Sequence, residues 1–315
     1  MRRITLFQLF VVMTAIGAAA IVSRAADPPK RAKPPVWSKD VLDVFFPDAR
    51  EALVGPRPAF AATSETAVAN STPSAVPPTD ADSKSGWSQW ITPEVLEAEI
   101  KRQSPELEKL VGSASVFKGG GYENARDHFS LLAVLFAISA EHDQDARWQG
   151  SASGLRDLFG RAGFNAKVGT DQTFREAASR SADLAELIRG GRPSTPTATA
   201  EANWSTVADR PPLMRRMELA QQERLSKWLA NENLFVDHAE DVSHEAQILA
   251  ALADVITREG YEFTDDDTFV GYAKELREAA SEVHQATEQE NYEQARAALG
   301  RATKACSTCH EGYRN

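Results

Sequence analysis

Apolar residues recur at three-and-four spacing along the last third of the chain, and this period predicts amphipathic helices. The first stripe follows Asp209, an N-cap residue with prolines in the first turn, and contains Met214, Met217, Leu225 and Trp228. Three further stripes have the same period: Val242, Leu249, Leu252 and Ile256; Phe269, Ala273, Leu276, Ala280 and Val283; Tyr292, Ala295, Leu299, Ala302 and Cys306. Four such helices with short connections predict an antiparallel bundle.

Two local signals set the ends of the inner helices of this bundle. Gly260 is a C-cap signal for the second helix. Thr264, followed by Asp265, Asp266 and Asp267, predicts the start of the third helix, since acidic residues favour a first turn.

Residues 87–191 give a similar helical pattern with weaker edges. The predicted helices lie near 93–110, 123–142, 147–161 and 170–189. Residues 125–143 resemble residues 242–260 in pattern, which fits either a duplicated bundle or two similar helices. No alternating β pattern competes, so the predicted fold class is all-α, with two helical domains.

Aperiodic stretches separate these regions. Residues 59–86 and 192–203 are rich in Ala, Ser, Thr and Pro, as linkers are, and residues 36–58 suggest one or two helical turns broken at Pro47. The predicted organisation is a leader over 1–26, a helical island plus disordered linker over 27–86, a helical domain over 87–191, a linker over 192–203 and a four-helix bundle over 204–315.

The N-terminus predicts export. Arg2 and Arg3 precede an apolar run over residues 4–22, and Ser23-Arg24-Ala25 offers small residues where a signal peptidase reads. The run is also about long enough for an uncleaved anchor. In either case the rest of the chain lies outside the cytoplasm, in the periplasm or beyond, and no other segment is apolar enough to cross a membrane.

Charge and motifs narrow the function classes. The net charge of −10 over 315 residues argues against a nucleic-acid surface and mildly favours basic protein partners. No Ser-His-Asp order, phosphate loop or paired-carboxylate pocket stands out, so we do not expect an enzyme.

The chemistry lies at the C-terminus, where Cys306 and Cys309, the two cysteines of the chain, precede His310. If the last helix continues, these three side chains share one face. Two thiols there can each add to a vinyl group of one porphyrin while the imidazole reaches its iron. A thioredoxin-like pair needs a βαβ setting, a helical disulfide would be strained, and a zinc site lacks further ligands.

This ending resembles that of the class II c-type cytochromes, cytochrome c′ and its low-spin relatives. The resemblance covers residues 204–315 and rests mainly on the haem motif followed by Tyr313-Arg314. It implies a four-helix bundle with one covalently attached haem c, with Cys306 and Cys309 as attachment points and His310 as proximal iron ligand. Residues 87–191 would then be haem-free. Many members of the family form homodimers, and Tyr313 and Arg314 are expected near the haem edge.

The sixth coordination position is left open by the sequence. In the family the first helix of the bundle covers this side of the iron, and here that helix carries Met214 and Met217. Low-spin members supply a methionine, with Met217 the preferred candidate here and Met214 the alternative. Both could also be core fillers, as methionine commonly is. A methionine ligand raises the reduction potential and closes the iron to gases.

The remaining histidines are expected to be structural. His238, His244 and His284 are predicted at the surface or at helix ends, and His128 and His142 are too far apart along one helix to share an iron. The leading hypothesis is an exported mono-haem electron carrier that docks with redox proteins. The alternatives are a five-coordinate haem protein that binds diatomic gases, and a partner-binding helical protein with an ancillary haem.

Overall fold

Helices account for the regular secondary structure of residues 86–195, 198 and 203–314, which are the residues that the computed structural model describes. The predicted leader, the helical island and nearly all of the first linker lie outside these residues. Nine α-helices of six or more residues occur in the described part: α1 Pro93–Leu110, α2 Tyr122–Glu141, α3 Gln149–Asn165, α4 Asp171–Ile188, α5 Arg210–Glu218, α6 Glu232–Asp237, α7 Ala239–Val255, α8 Asp267–Glu288 and α9 Tyr292–Tyr313. The predicted all-α class is confirmed.

Side-chain caps explain why several predicted boundaries are close to the observed ones. Thr92 Oγ1 accepts a hydrogen bond from the amide of Val95 at the start of α1, and Pro93 occupies the first turn. Thr170 and Thr173 form a reciprocal cap at the start of α4. Gly260 has a φ of 103°, as the predicted C-cap signal requires, and it follows the end of α7 by a few residues.

Two predicted helix starts lie where the sequence places them, but the side-chain capping bonds differ from the expected ones. Asp209 does precede α5, but its side chain makes no cap; it pairs with Arg126 and with Lys167 Nζ at 2.9 Å. Asp266, not Thr264, caps α8, because its Oδ1 accepts from the amides of Thr268 and Phe269.

Helices α2 and α7 form the centre of the molecule. Both are apolar around most of their circumference, as expected of helices enclosed by others. Helix α2 packs mainly against α3, whereas α7 packs against α8 and α8 against α9. These two central helices contain most of the two segments of similar pattern, residues 125–143 and 242–260.

The helices on the two sides of residues 192–203 share one hydrophobic core. The described residues all fall within one contact unit, Pro77–Asn315, and α5 packs against α2. Whether the two predicted helical domains can fold separately stays a prediction. Among the described helices, none combines the length and the hydropathy needed to span a membrane.

Candidate haem-attachment site

Helix α9 carries the two cysteines and His310 without a break. Asn291 caps its start by accepting from the amide of Gln294, and Tyr292–Tyr313 is then continuous. Small apolar side chains line its buried face: Ala295, Ala298, Leu299, Ala302 and Ala305. Because alanines permit close helix contact, α9 packs closely against α8.

The two thiols are unpaired and lie half-buried against the core. Burial, and after it the neighbouring Cys309, raise the pKa of Cys306 to about 11. Burial also raises the pKa of Cys309, against a lowering by Arg210. Reactive redox cysteines have depressed pKa values, so these surroundings do not favour a thiol–disulfide exchange pair.

His310 lies at the exposed edge of the same helical surface. Although the residue as a whole is exposed, its neighbours cover enough of the imidazole to lower its pKa, and Arg314 lowers it further while Glu218 raises it. A lowered pKa keeps the imidazole neutral near pH 7, which is the form that binds a metal.

Helix α5 and the segment after it run alongside α9 in the opposite direction. This segment is π-helical over Leu219–Leu225 and ends with a helical turn at Ser226–Trp228. Tyr292 donates to the carbonyl of Leu229 at 3.3 Å, and Gln221 Nε2 donates to Thr303 Oγ1 at 2.8 Å.

Nearer the C-terminus of α9, Glu218 and Arg210 influence His310 and Cys309 electrostatically. Helix α5 therefore lies near the cysteine–histidine turn of α9.

Both candidate distal methionines lie on α5, but their burial differs. Met217 is 5% exposed and belongs to the core, whereas Met214 is half-buried and packs against the core from its edge. The structure thus brings α5 beside the segment that contains Cys306, Cys309 and His310.

Tyr313 fastens the end of α9 to the start of α8. Its hydroxyl donates to Asp266 Oδ2 at 2.7 Å, and its ring packs edge-on against Phe263 and Phe269 at centroid distances of 5.2 and 5.4 Å. Arg210 lies over the Phe263 ring at 5.3 Å, which joins α5 to the same aromatic cluster. Arg314 is exposed directly after the helix. The cluster thereby holds the turn that carries His310.

A buried charged cluster beside α5 is absent from the sequence predictions. Glu99 of α1 and His244 and Glu245 of α7 are buried, with one ligand-type atom of each within 4.8 Å of the others. Arg216 of α5 lies among them and donates to Glu99 and to Glu245. The sequence signal that could have found this cluster is the position of a charged residue, Glu99, on an apolar helix stripe beside Leu96 and Ile100.

His244 corrects a prediction. It was expected at the surface or at a helix end, but it is 5% exposed and its Nε2 lies 2.9 Å from Glu99 Oε2. A buried carboxylate from α1 supplies the partner that makes this burial tolerable. His284 is half-buried against Ser243, and His238 stacks on Trp228 at 5.2 Å.

The donor set fits a covalently attached haem. Two unpaired thiols lie one helical turn apart and pack against an apolar interior, with a histidine of lowered pKa beside them. Cys306 and Cys309 would hold the porphyrin, and His310 would bind its iron. Met217 offers a buried thioether on the facing helix.

Residues 259–314 match the Cytochrome C' family model. The matched part begins just before Gly260 and covers α8 and α9, including the cysteine–histidine segment. The C-terminal helical region therefore matches a class II c-type cytochrome family, in agreement with the resemblance seen in the sequence, and cytochrome c′ implies covalently bound haem c. No curated protein and no solved structure matches the chain.

Proposed function

We infer that this protein is an exported mono-haem c-type cytochrome that transfers electrons between partner proteins and is not an enzyme. The observation that carries this inference is the half-buried, unpaired cysteine pair followed by His310, on a helix end that lies near α5. Cytochrome c′ similarity over α8 and α9 supports it.

Each residue of the site has a separate role. Cys306 and Cys309 tether the porphyrin through thioether bonds, each formed by adding S–H across one vinyl group. His310 is the proximal ligand, and its lowered pKa keeps the ring nitrogen available. When bound, haem supplies one-electron exchange at its iron. Arg314 adds positive charge beside His310, and Tyr313 fixes the helix end that carries the ligand.

Met217 is the preferred distal ligand, with Met214 second. Met217 is buried at the inner face of α5, whereas Met214 is only half-buried. A thioether held in the interior has few competing positions, so its approach to an iron costs little ordering entropy. Ligation there favours electron transfer over gas binding because it closes the sixth position.

Localisation and partners follow from other parts of the chain. The leader over residues 1–26 supports export, as a signal peptide or an anchor, and thioether formation takes place outside the cytoplasm. The net charge of −10 favours basic redox partners, and a homodimer is an expectation carried by the family resemblance.

Replacing Met217 with leucine tests the carrier function, because the change keeps volume and removes the sulfur. We expect the variant to lose the methionine–iron charge-transfer band, to bind carbon monoxide and to have a lower reduction potential, all measured on haem-loaded protein. Met214→Leu is the matched control on the same helix and should keep the band.

Other outcomes have distinct meanings. Loss of the band in Met214→Leu alone would exchange the two methionine roles. A wild-type protein that has a high-spin spectrum and binds carbon monoxide would contradict the electron-transfer hypothesis and favour gas binding. Folded wild-type protein that contains no haem, although it was produced with haem-maturation machinery, would contradict both the electron-transfer and the gas-binding hypotheses.

A further inference from the structure

Helix α5 is anchored to the region before residue 192 by ion pairs along its length. At its start, Asp209 pairs with Arg126 and Lys167. In its second turn, Arg215 donates to both carboxylate oxygens of Asp127, with Nε to Oδ2 at 2.7 Å. Ion pairs thus connect α5 to α2 and to the α3–α4 connection, in addition to its contacts with the C-terminal helices.

The deepest of these contacts is the buried pair between Arg216 and Glu99. Arg216 is 9% exposed, and its Nε donates to Glu99 Oε1 at 3.0 Å. On its other edge, the guanidinium donates to the two oxygens of Glu245 at 2.7 and 3.1 Å. His244 bonds the second oxygen of Glu99. Arg216 therefore occupies the position that a metal cation would need among these three groups.

This arrangement fixes the rotation of α5 about its axis. A guanidinium has a planar fork of donors, and two carboxylates from different helices bind two edges of it. A rotation of α5 would break both sets of bonds and leave charge buried without a partner. Met217 directly follows Arg216, so the direction of its side chain is set by the same constraint.

Helix α5 gains little stability from its own backbone. It is nine residues long and passes directly into the π-helical segment, where the regular α-helical hydrogen bonds are lost. A short helix gains most of its stability from tertiary contacts rather than from its own propensity. The ion pairs to the preceding region are therefore a principal restraint on its position.

We propose that the helical region before residue 192 positions α5, with Glu99 as the central positioning residue, and so fixes the distal side of the site. Glu99 acts through Arg216 and does not itself touch the cofactor. The part of this proposal that concerns the iron rests on the proposed function; the part that concerns α5 does not.

Hydrogen exchange of the full chain, followed by mass spectrometry, tests the positioning directly. Glu99→Gln should speed exchange of peptides from residues 210–225 at least tenfold, since it leaves a buried guanidinium with one partner fewer. Asp127→Asn removes a more exposed pair and should speed it by about twofold to fivefold. Peptides from α8 and α9 serve as the internal reference and should not change.

The matched controls are a Glu→Gln and an Asp→Asn substitution at positions that do not contact α5. Glu106→Gln lies on α1 and removes a surface pair with Lys109. Asp171→Asn removes a surface pair with Lys118. Neither contacts α5, so both should leave exchange of residues 210–225 at the wild-type rate.

An optical readout tests the consequence for the site. In haem-loaded protein, Glu99→Gln and Asp127→Asn should weaken the methionine–iron band or speed carbon monoxide binding, while the two controls should not. Unchanged exchange and unchanged spectra in both variants would overturn the proposal. If Glu99→Gln does not fold, the exchange rates and the spectrum of Asp127→Asn test the proposal. Faster exchange at residues 210–225 in a protein that never takes up haem would uphold positioning and refute the proposed function.

Discussion

Replacing Cys306 and Cys309 together with alanine is expected to abolish covalent haem. These are the two cysteines of the chain, and both are free thiols beside the apolar interior. Without them no thioether can form, so the protein should lose all haem staining on a denaturing gel. The mass of the C-terminal peptide should equal that of the unmodified sequence.

The single variants separate the two attachment points. Cys306→Ala and Cys309→Ala should each keep one thioether, which leaves one vinyl group free and shifts the pyridine haemochrome band. Each side chain is half-buried, so the substitution costs only about 1 kcal/mol of stability, near the value for one buried methylene. Loss of haem therefore reports on attachment rather than on unfolding, which circular dichroism can verify.

Ser307→Ala is the matched control for this series. Ser307 lies between the two cysteines and is exposed, with its hydroxyl bonded to the carbonyl of Thr303 one turn back. Its replacement should leave haem content unchanged. Haem that survives denaturation of the double alanine variant would contradict attachment at Cys306 and Cys309.

The sequence predicted what local patterns encode. The start of α1 could be predicted because Thr92 and Pro93 are adjacent start signals for one helix. The candidate haem-attachment residues could be predicted because the three of them lie within one helical turn and a half, where spacing alone determines which side chains share a face.

The contacts made over long sequence separations could not be predicted in this way. Glu99 and Arg216 are 117 residues apart. Neither residue on its own indicates which distant residue pairs with it. The burial of His244 depends on that same distant carboxylate. The linker composition of residues 192–203 predicts a boundary, but it carries no information on whether the helices before and after it share a core.

The π-helical segment was missed for a different reason. Residues 219–225 continue a helical composition without Gly or Pro, so their pattern does not distinguish an α-helix from a π-helix. The segment also makes contacts that are distant in sequence, such as the hydrogen bond from Gln221 to Thr303 of α9.

Glu99→Gln is expected to destabilise the protein by about 3–5 kcal/mol at neutral pH, because it removes one partner of a buried ion pair. Burial alone would raise the pKa of Glu99, but Arg216 and the hydrogen bond from His244 outweigh it and lower the pKa to about 2. Relative to 4.5 in the unfolded chain, that shift corresponds to about 3 kcal/mol of stability.

The sign of the pH dependence follows from this depressed pKa. The ionised carboxylate stabilises the native state above pH 4.5, and this contribution is lost as the pH falls toward about 2. Glutamine cannot ionise, so the variant lacks it throughout. The stability difference between wild type and Glu99→Gln should therefore be constant near neutral pH and shrink progressively below about pH 4.5.

Urea unfolding of both proteins at a series of pH values measures this difference, with an unchanged m-value as evidence that the same surface is exposed. Glu106→Gln, the same substitution at an exposed position of α1, should change stability by less than about 0.5 kcal/mol at every pH. A gap for Glu99→Gln that stays constant or widens on acidification would mean that Glu99 is not ionised in the native state. The guanidinium of Arg216 would then have to be neutralised by Glu245 alone, and Glu99 would form no ion pair between α1 and α5.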